Sequence, residues 1–426
     1  MYSSKQRFLY AIGPGFLMAG AAVGVSHLVQ ATRAGADYGF SLLWLLLLAI
    51  ISKYPFMEFG PRYAAATGEH LIKGYQRLGK LALWSYAGIT FGTMFIIHAA
   101  VTLVSAGLAE HLFATGWPLF SWSVIILAGC VLLLVLGRYP GLDLSMKIII
   151  SVLTLATLFA VMMALGAGTA AGAVQTEAPS YWNAAGLAFI IAFMGWMPIP
   201  LDAAVWHSIW TQERGRQTRY RPTVGEARLD FDIGYGAAGL IGVLFFLLGA
   251  LVMFGSGVSF ASGSVGFSAQ LIELYTQTLG NWSGPLISVA AFITMFSTTL
   301  AVTDAYPRVL SELWAMHQPA SAPAAAQEPQ DTARAAAYRA FLPFSALSAL
   351  LVLYFLSGQF TFLIDLAAGI SFVAAPALGW FNYRLLTSAH TPEAARPGPV
   401  YRFFALACLA FLVLFTLVWA YWTFLG

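Results

Sequence analysis

Two stretches of this 426-residue chain set helix-breaking residues beside polar side chains within apolar surroundings. In the first, Gly20, Ala21, Ala22 and Gly24 run into Val25, Ser26 and His27. In the second, Gly195, Pro198 and Pro200 are followed by Asp202. Proline lacks an amide hydrogen and clashes with the preceding turn, so Pro198 and Pro200 interrupt a helix running through them. Backbone groups freed at membrane depth persist only where they face protein or a wet cavity. A matched pair of such breaks, about five spans apart, is the pattern of an inverted-repeat transporter with its site at the midplane. For the first stretch taken alone, a packing kink is the plainer reading.

Other polar residues within apolar runs are costly there and default to functional roles. Asp202 can neutralise a cation or cap the helix that restarts after Pro200, and the two roles are compatible. Glu58 and Arg62 are four residues apart and meet on one helical face, so an internal ion pair is the first expectation for them. Glu58 otherwise stands beside the pathway. Asp304 either lines the pathway or pairs with Lys53 or Arg33. His98 has the chemistry of a proton relay near neutral pH, and equally that of a hydrogen-bonded core residue. Ser297, Thr298 and Thr299 offer hydroxyls to a cavity or to neighbouring helices.

These residues must be positioned by membrane helices. Hydrophobic residues make up 59% of the chain and charged ones only 9%, with a mean hydropathy of +0.76; a soluble domain is about 25% charged. At about 20 apolar residues per crossing, some eleven spans are expected: near 9–35, 40–66, 82–111, 118–137, 144–167, 183–211, 229–254, 283–313, 335–357, 360–386 and 399–424. The third and eighth are long enough to tilt or project. Lys5 and Arg7 precede the first span, which is expected to be retained rather than cleaved as a signal peptide. Lys73, Arg77, Lys80, Arg138, Lys147 and the basic loop Thr211–Leu229 alternate with segments 166–177 and 255–270, which hold no Lys or Arg. That alternation predicts a cytoplasmic N-terminus. Segment 317–334 reads as a flexible linker. Cys130 and Cys408 lie in apolar runs and behave as small hydrophobes. No nucleotide-binding glycine loop and no nucleophile–base set is present, so neither direct use of ATP nor an enzyme is expected. The net charge of +3 gives no reason to expect nucleic acid.

The order GPGFLMAGAAV, RAGADYGFSLLWLLLLA and AAATG over residues 13–68, then Met197-Pro198, then FSTTLAVT from Phe296 to Thr303, resembles the natural resistance-associated macrophage protein (Nramp) family of divalent-metal transporters. The resemblance implies an all-α polytopic membrane protein of the leucine-transporter (LeuT) fold: two inverted five-helix repeats (9–167 and 183–386) in one domain, plus an eleventh transmembrane helix at 399–424. The family's first-helix signature is Asp-Pro-Gly-Asn, and here Gly24, Val25, Ser26 and His27 stand in its place. Met197 keeps the place of the thioether ligand, and Met194 that of a residue giving a backbone carbonyl. The histidine that follows Met-Pro in the family is Ile199. His98 and Val101 replace the acidic pair of the third helix, and Asp365 stands where the tenth helix carries a glutamine. His207 and Ser208 resemble the family's His-Ser pair three residues late, which gives His207 a structural or inner-vestibule role.

Loss of the aspartate removes the charge that offsets desolvation of a hard ion. Imidazole plus thioether, His27 with Met197, suits a softer transition metal of the Mn or Fe kind. The expectation is therefore a secondary transporter of such a cation. Gly24, Val25, Ser26, His27, Met194, Met197, Asp202 and Asp365 are the substrate-binding candidates, and His98, Asp304 and Glu58 the relay or pathway candidates. A non-metal solute, or a non-transporting membrane sensor or scaffold, are the alternatives. No cofactor is expected. The expected partners are the lipid bilayer, of a bacterial cytoplasmic membrane, and the transported solute.

Overall fold

The computed structural model describes residues 10–136, 139–167, 178–316 and 327–424. Lys5, Arg7, Arg138, the side chain of Lys147, most of the expected 166–177 loop and segment 317–326 lie outside the described residues. Among the described residues the regular structure is helical and contains no strand. In chain order the helices are α1 (Pro14–Ala22), α2 (Thr32–Tyr38), α3 (Leu43–Thr67), α4 (Leu71–Leu78), α5 (Lys80–Phe113), α6 (Leu119–Val135), α7 (Tyr139–Ala167), α8 (Ala184–Trp196), α9 (Ala203–Thr218), α10 (Val224–Val252), α11 (Ser264–Leu279), α12 (Ser283–Ala315), α13 (Gln327–Leu356), α14 (Phe360–Thr387) and α15 (Pro399–Phe424). Among the described residues, seven helical segments are long and apolar enough to cross a membrane, with Leu119–Val135, Ser151–Gly166 and Ala184–Trp196 as shorter apolar helices. Large apolar side chains such as Leu132, Leu351, Phe355, Phe403 and Leu414 stand exposed on the outside. Hydrocarbon is the solvent that suits such a surface.

Each expected span has its helix, and the third and eighth are the longest, at 34 and 33 residues. Four expectations change, the first being that residues 327–334 of the expected linker belong to α13. Segment 255–270, expected as a loop, leads into α11, which buries Phe267, Leu271 and Tyr275. Its sixteen residues include Gln270, Glu273 and Gln277, too few and too polar to register as a span. The short α4 forms after the second span. Thr211–Leu229 is mostly helix: α9 runs to Thr218, and α10 starts at Val224 under a capping box. In that box Thr223 Oγ1 accepts from the Glu226 amide at 3.2 Å, and Glu226 Oε2 accepts from the Thr223 amide at 2.8 Å. Both orphan donors are thereby satisfied.

The two breaks form where the small residues and prolines put them. α1 stops at Ala22, and after a bend at Val23–Gly24 the chain resumes through a π-helical turn, Ser26–Ala31, into α2. α8 stops at Trp196, and α9 does not begin until Ala203. Proline alone does not decide this, because α3 continues through Pro55 and Pro61 and α14 through Pro376. What differs in the sixth span is two prolines one residue apart, directly after a glycine forced against its neighbour. A Cβ on Gly195 would run into the backbone carbonyl of Ala368 in α14.

Candidate functional site

The breaks face each other across a cavity of about 30 Å³, room for one or two waters. Ala21, Ala22, Val25 and Ser26 line it from the first break, and Trp196, Ile199 and Pro200 from the sixth. Trp206, Ile97, Val101, Thr298 and Val302 complete the wall. Its side-chain oxygens are the hydroxyls of Ser26 and Thr298; no carboxylate lines it.

Buried backbone groups need hydrogen-bond partners, and those at the breaks find them within the protein. At the first break Ser26 Oγ lies 2.9 Å from the Ala22 carbonyl, and Thr298 Oγ1 lies 3.1 Å from the carbonyls of both Gly20 and Val23. Gly24 allows this approach, since a Cβ there would lie 2.7 Å from the Thr298 methyl. At the sixth break the partner is a charge. Lys53, fully buried in α3, donates from Nζ to the carbonyls of Met194 at 2.6 Å, Gly195 at 2.7 Å and Ile199 at 3.3 Å.

His27 and Met197, the expected soft ligands, stand outside the cavity lining and flank one glycine. Met197 Sδ and His27 Cδ2 both lie against Gly242 of α10. His27 Nε2 donates to the Ala238 carbonyl at 2.9 Å, and Nδ1 lies 2.7 Å from Ser26 Oγ. Since the carbonyl accepts only, Nε2 carries hydrogen, and Nδ1 competes with the Ala22 carbonyl for the single Ser26 hydroxyl hydrogen. No group of three or more His, Cys, Asp or Glu side chains arranged to hold a metal occurs among the described residues.

The remaining candidates are dispersed. Asp202 occupies the N-cap position of α9 without a side-chain capping bond, and its Oδ2 is buried without a hydrogen-bond partner. Asp365 accepts from Arg33 at 3.0 Å and from Gln30 at 2.9 Å, so it ties α14 to the continuation of the first span rather than lining the cavity. Arg33 also stacks over Phe189 of α8, 4.7 Å from the ring centroid. Asp304 pairs with neither Lys53 nor Arg33 but with Arg308 at 2.6 Å, four residues on, and accepts from Tyr338 at 2.6 Å. Glu58 and Arg62 form the expected pair at 2.8 Å, with Tyr401 donating to the same carboxylate at 3.3 Å. His98 bonds Ser345 at 3.0 Å and Thr303 at 2.9 Å in a closed core network. Thr299 meets Ser105 at 2.7 Å and joins helices rather than facing the cavity. His207 is buried, 3.9 Å from Asp230.

Two residues that the sequence reading did not assign to the site hold it in place. Lys53 is one. Asp230 of α10 is the other: its carboxylate accepts from the amides of Gly13 at 2.9 Å and Gly15 at 2.6 Å, capping α1 from across the fold. A cap supplied from 215 residues away leaves no local pattern.

The family model described as natural resistance-associated macrophage protein-like matches residues 15–421. The chain belongs to that family. Among its relatives is an uncharacterized protein of Pasteurella multocida, 33% identical over 378 residues, covering 88% of this Nramp-like chain and 84% of that one. The metal transporter Nramp2 of Arabidopsis thaliana is 30% identical over 167 residues, 38% of this chain and 30% of the plant protein. Among solved structures, a mutant of the Eremococcus coleocola manganese transporter superposes with a TM-score of 0.70 at 16% identity, over 98% of this chain and 88% of that one. MhsT in complex with L-phenylalanine gives 0.62 at 13% identity, over 96% and 98%. The Nramp-like chain has the LeuT-type fold of these transporters, and is an integral membrane transporter rather than an enzyme.

Proposed function

We propose that this Nramp-like chain is a secondary transporter that moves a small solute by alternating access about its two broken spans, with a transition-metal cation of the Mn or Fe kind as cargo. The observation that carries the mechanism is the cavity walled by both breaks at once. Rocking one inverted repeat against the other exposes such a site to each side in turn, and segments 9–167 and 183–386 are the two repeats in this reading, with 399–424 outside them. Kinship supports the cargo, because relatives with a stated cargo are metal transporters. The adjacency of His27 and Met197 supports a soft metal in particular. A metal reaching His27 takes Nδ1 from Ser26, so loading is coupled to a change in the π-helical turn. The alternation of Lys and Arg along the chain supports a cytoplasmic N-terminus in a bacterial inner membrane.

The test is uptake of Mn(II) and Fe(II) into proteoliposomes. Wild type is expected to accumulate metal, and His27→Ala and Met197→Ala to lose about tenfold or more of that flux, the size of one ligand's contribution. Absence of metal flux from well-folded wild type would remove the cargo.

A second reading keeps the transporter and changes the cargo to a non-metal solute. It is favoured by one specific observation: the freed carbonyls of both breaks already have protein partners, and no carboxylate lines the cavity between them. A thermal-shift screen separates the two, since a ligand that binds only the folded state raises the melting temperature. Stabilisation by a metabolite and by no metal selects the second.

A further inference from the structure

The last carbonyls of a helix lack amide partners and form the negative end of its dipole. In α8 that end is not continued, because the next residues are the Met197-Pro198-Ile199-Pro200 break and the prolines bring no N–H. Three neutral oxygens, of Met194, Gly195 and Ile199, therefore converge at a buried point. Neutral carbonyls gathered in this way bind cations without a carboxylate in direct contact.

What occupies the point is the Lys53 ammonium. It brings three hydrogens and meets three acceptors, so its bonding capacity is filled. Asp202, across the break, acts on Lys53 electrostatically, yet no ion pair joins them among the described residues. A single positive charge thus sits on backbone oxygens, with a nearby negative charge offsetting it at a distance. An alkyl side chain of the same length would leave all three carbonyls buried and unpaired.

We propose that the end of α8 is a monovalent-cation site with a tethered occupant: the Lys53 ammonium fills it in place of a free monovalent cation, so no free monovalent cation binds the carbonyls of Met194, Gly195 and Ile199. The inference is independent of the cargo. It holds if a transition metal is carried beside His27 and Met197, and it holds if a non-metal solute is carried; failure of metal uptake leaves it untouched.

The experiment is thermal unfolding of the full-length purified protein at constant ionic strength, with choline chloride exchanged for sodium, potassium or methylammonium chloride. Wild type is expected to melt at the same temperature throughout. Lys53→Ala removes the tether and opens the space, so its lowered melting temperature should climb with the concentration of at least one of these cations, as mass action requires. Lys53→Met fills the space without charge and should melt low without responding. Should Lys53→Ala not survive purification, Lys53→Ser, which also opens the space, is read in the same way. The proposal is overturned if the opened variants ignore all three cations or wild type responds as strongly as they do. It is equally overturned if Mn(II) alone stabilises the opened variants and does not stabilise wild type, which would make the point a divalent site.

Discussion

The first and sixth spans are broken at one cavity, but their loose carbonyls are satisfied by different chemistry. At the first break the partners are neutral hydroxyls, Ser26 from the same span and Thr298 from α12. At the sixth they converge on one ammonium from α3. A neutral hydrogen bond contributes about 0.5–1.5 kcal/mol net and one to a charged group about 1.5–3 kcal/mol. A hydroxyl offers a single hydrogen, so at the first break one carbonyl can be released when another is taken. The ammonium engages three carbonyls together. The first break is therefore the adaptable side of the site and the sixth the fixed side. The π-helical turn after Gly24, a form often found at functional sites, belongs to the adaptable side.

The contrast is most exposed to Lys53→Met. Loss of a buried charged partner is expected to cost about 3–5 kcal/mol, read as a large fall in melting temperature in detergent. A fall no larger than that of a hydroxyl deletion would dissolve the distinction between the two sides. Next in size is a pair of glycine substitutions. Gly195→Ala drives a methyl into the Ala368 backbone carbonyl, which cannot turn aside, whereas Gly24→Ala meets the Thr298 side chain, which can rotate. Overpacking costs about 1–3 kcal/mol; Gly195→Ala is expected at the top of that range and Gly24→Ala at the bottom. Chemical denaturation of both variants measures the order, and a reversed order would mean that the first break is the rigid one. The smallest effect is that of Thr298→Val, which removes the hydroxyl shared by Gly20 and Val23 at nearly constant shape. It is expected to cost about 1 kcal/mol while changing flux by a larger factor than stability, as paired uptake and melting measurements would show.

Part of the site was legible in the sequence because its cause is local. Pro198 and Pro200 lack amide hydrogens wherever they are placed, and the small residues around Gly24 weaken a helix from within. The Glu58–Arg62 pair follows from helical spacing alone. The assignments that shifted were those that depended on which way a side chain faces. His27 and Met197 were expected as cargo ligands, and they flank Gly242 outside the cavity lining. Asp304 had Lys53 and Arg33 as expected partners, and its own helix supplied Arg308 instead.

The spans and their breaks were determined by the sequence itself, through apolar run length and backbone chemistry that need no distant partner, and the family by the motifs the sequence keeps. Helix rotation and cross-fold partnership were decided only in three dimensions. A helix apolar on all sides carries no stripe to say which face turns inward. Lys53 finds carbonyls 141 and 142 residues away, and Asp230 caps α1 from 215 and 217 residues away. Contacts at that separation exist only once the whole bundle has packed.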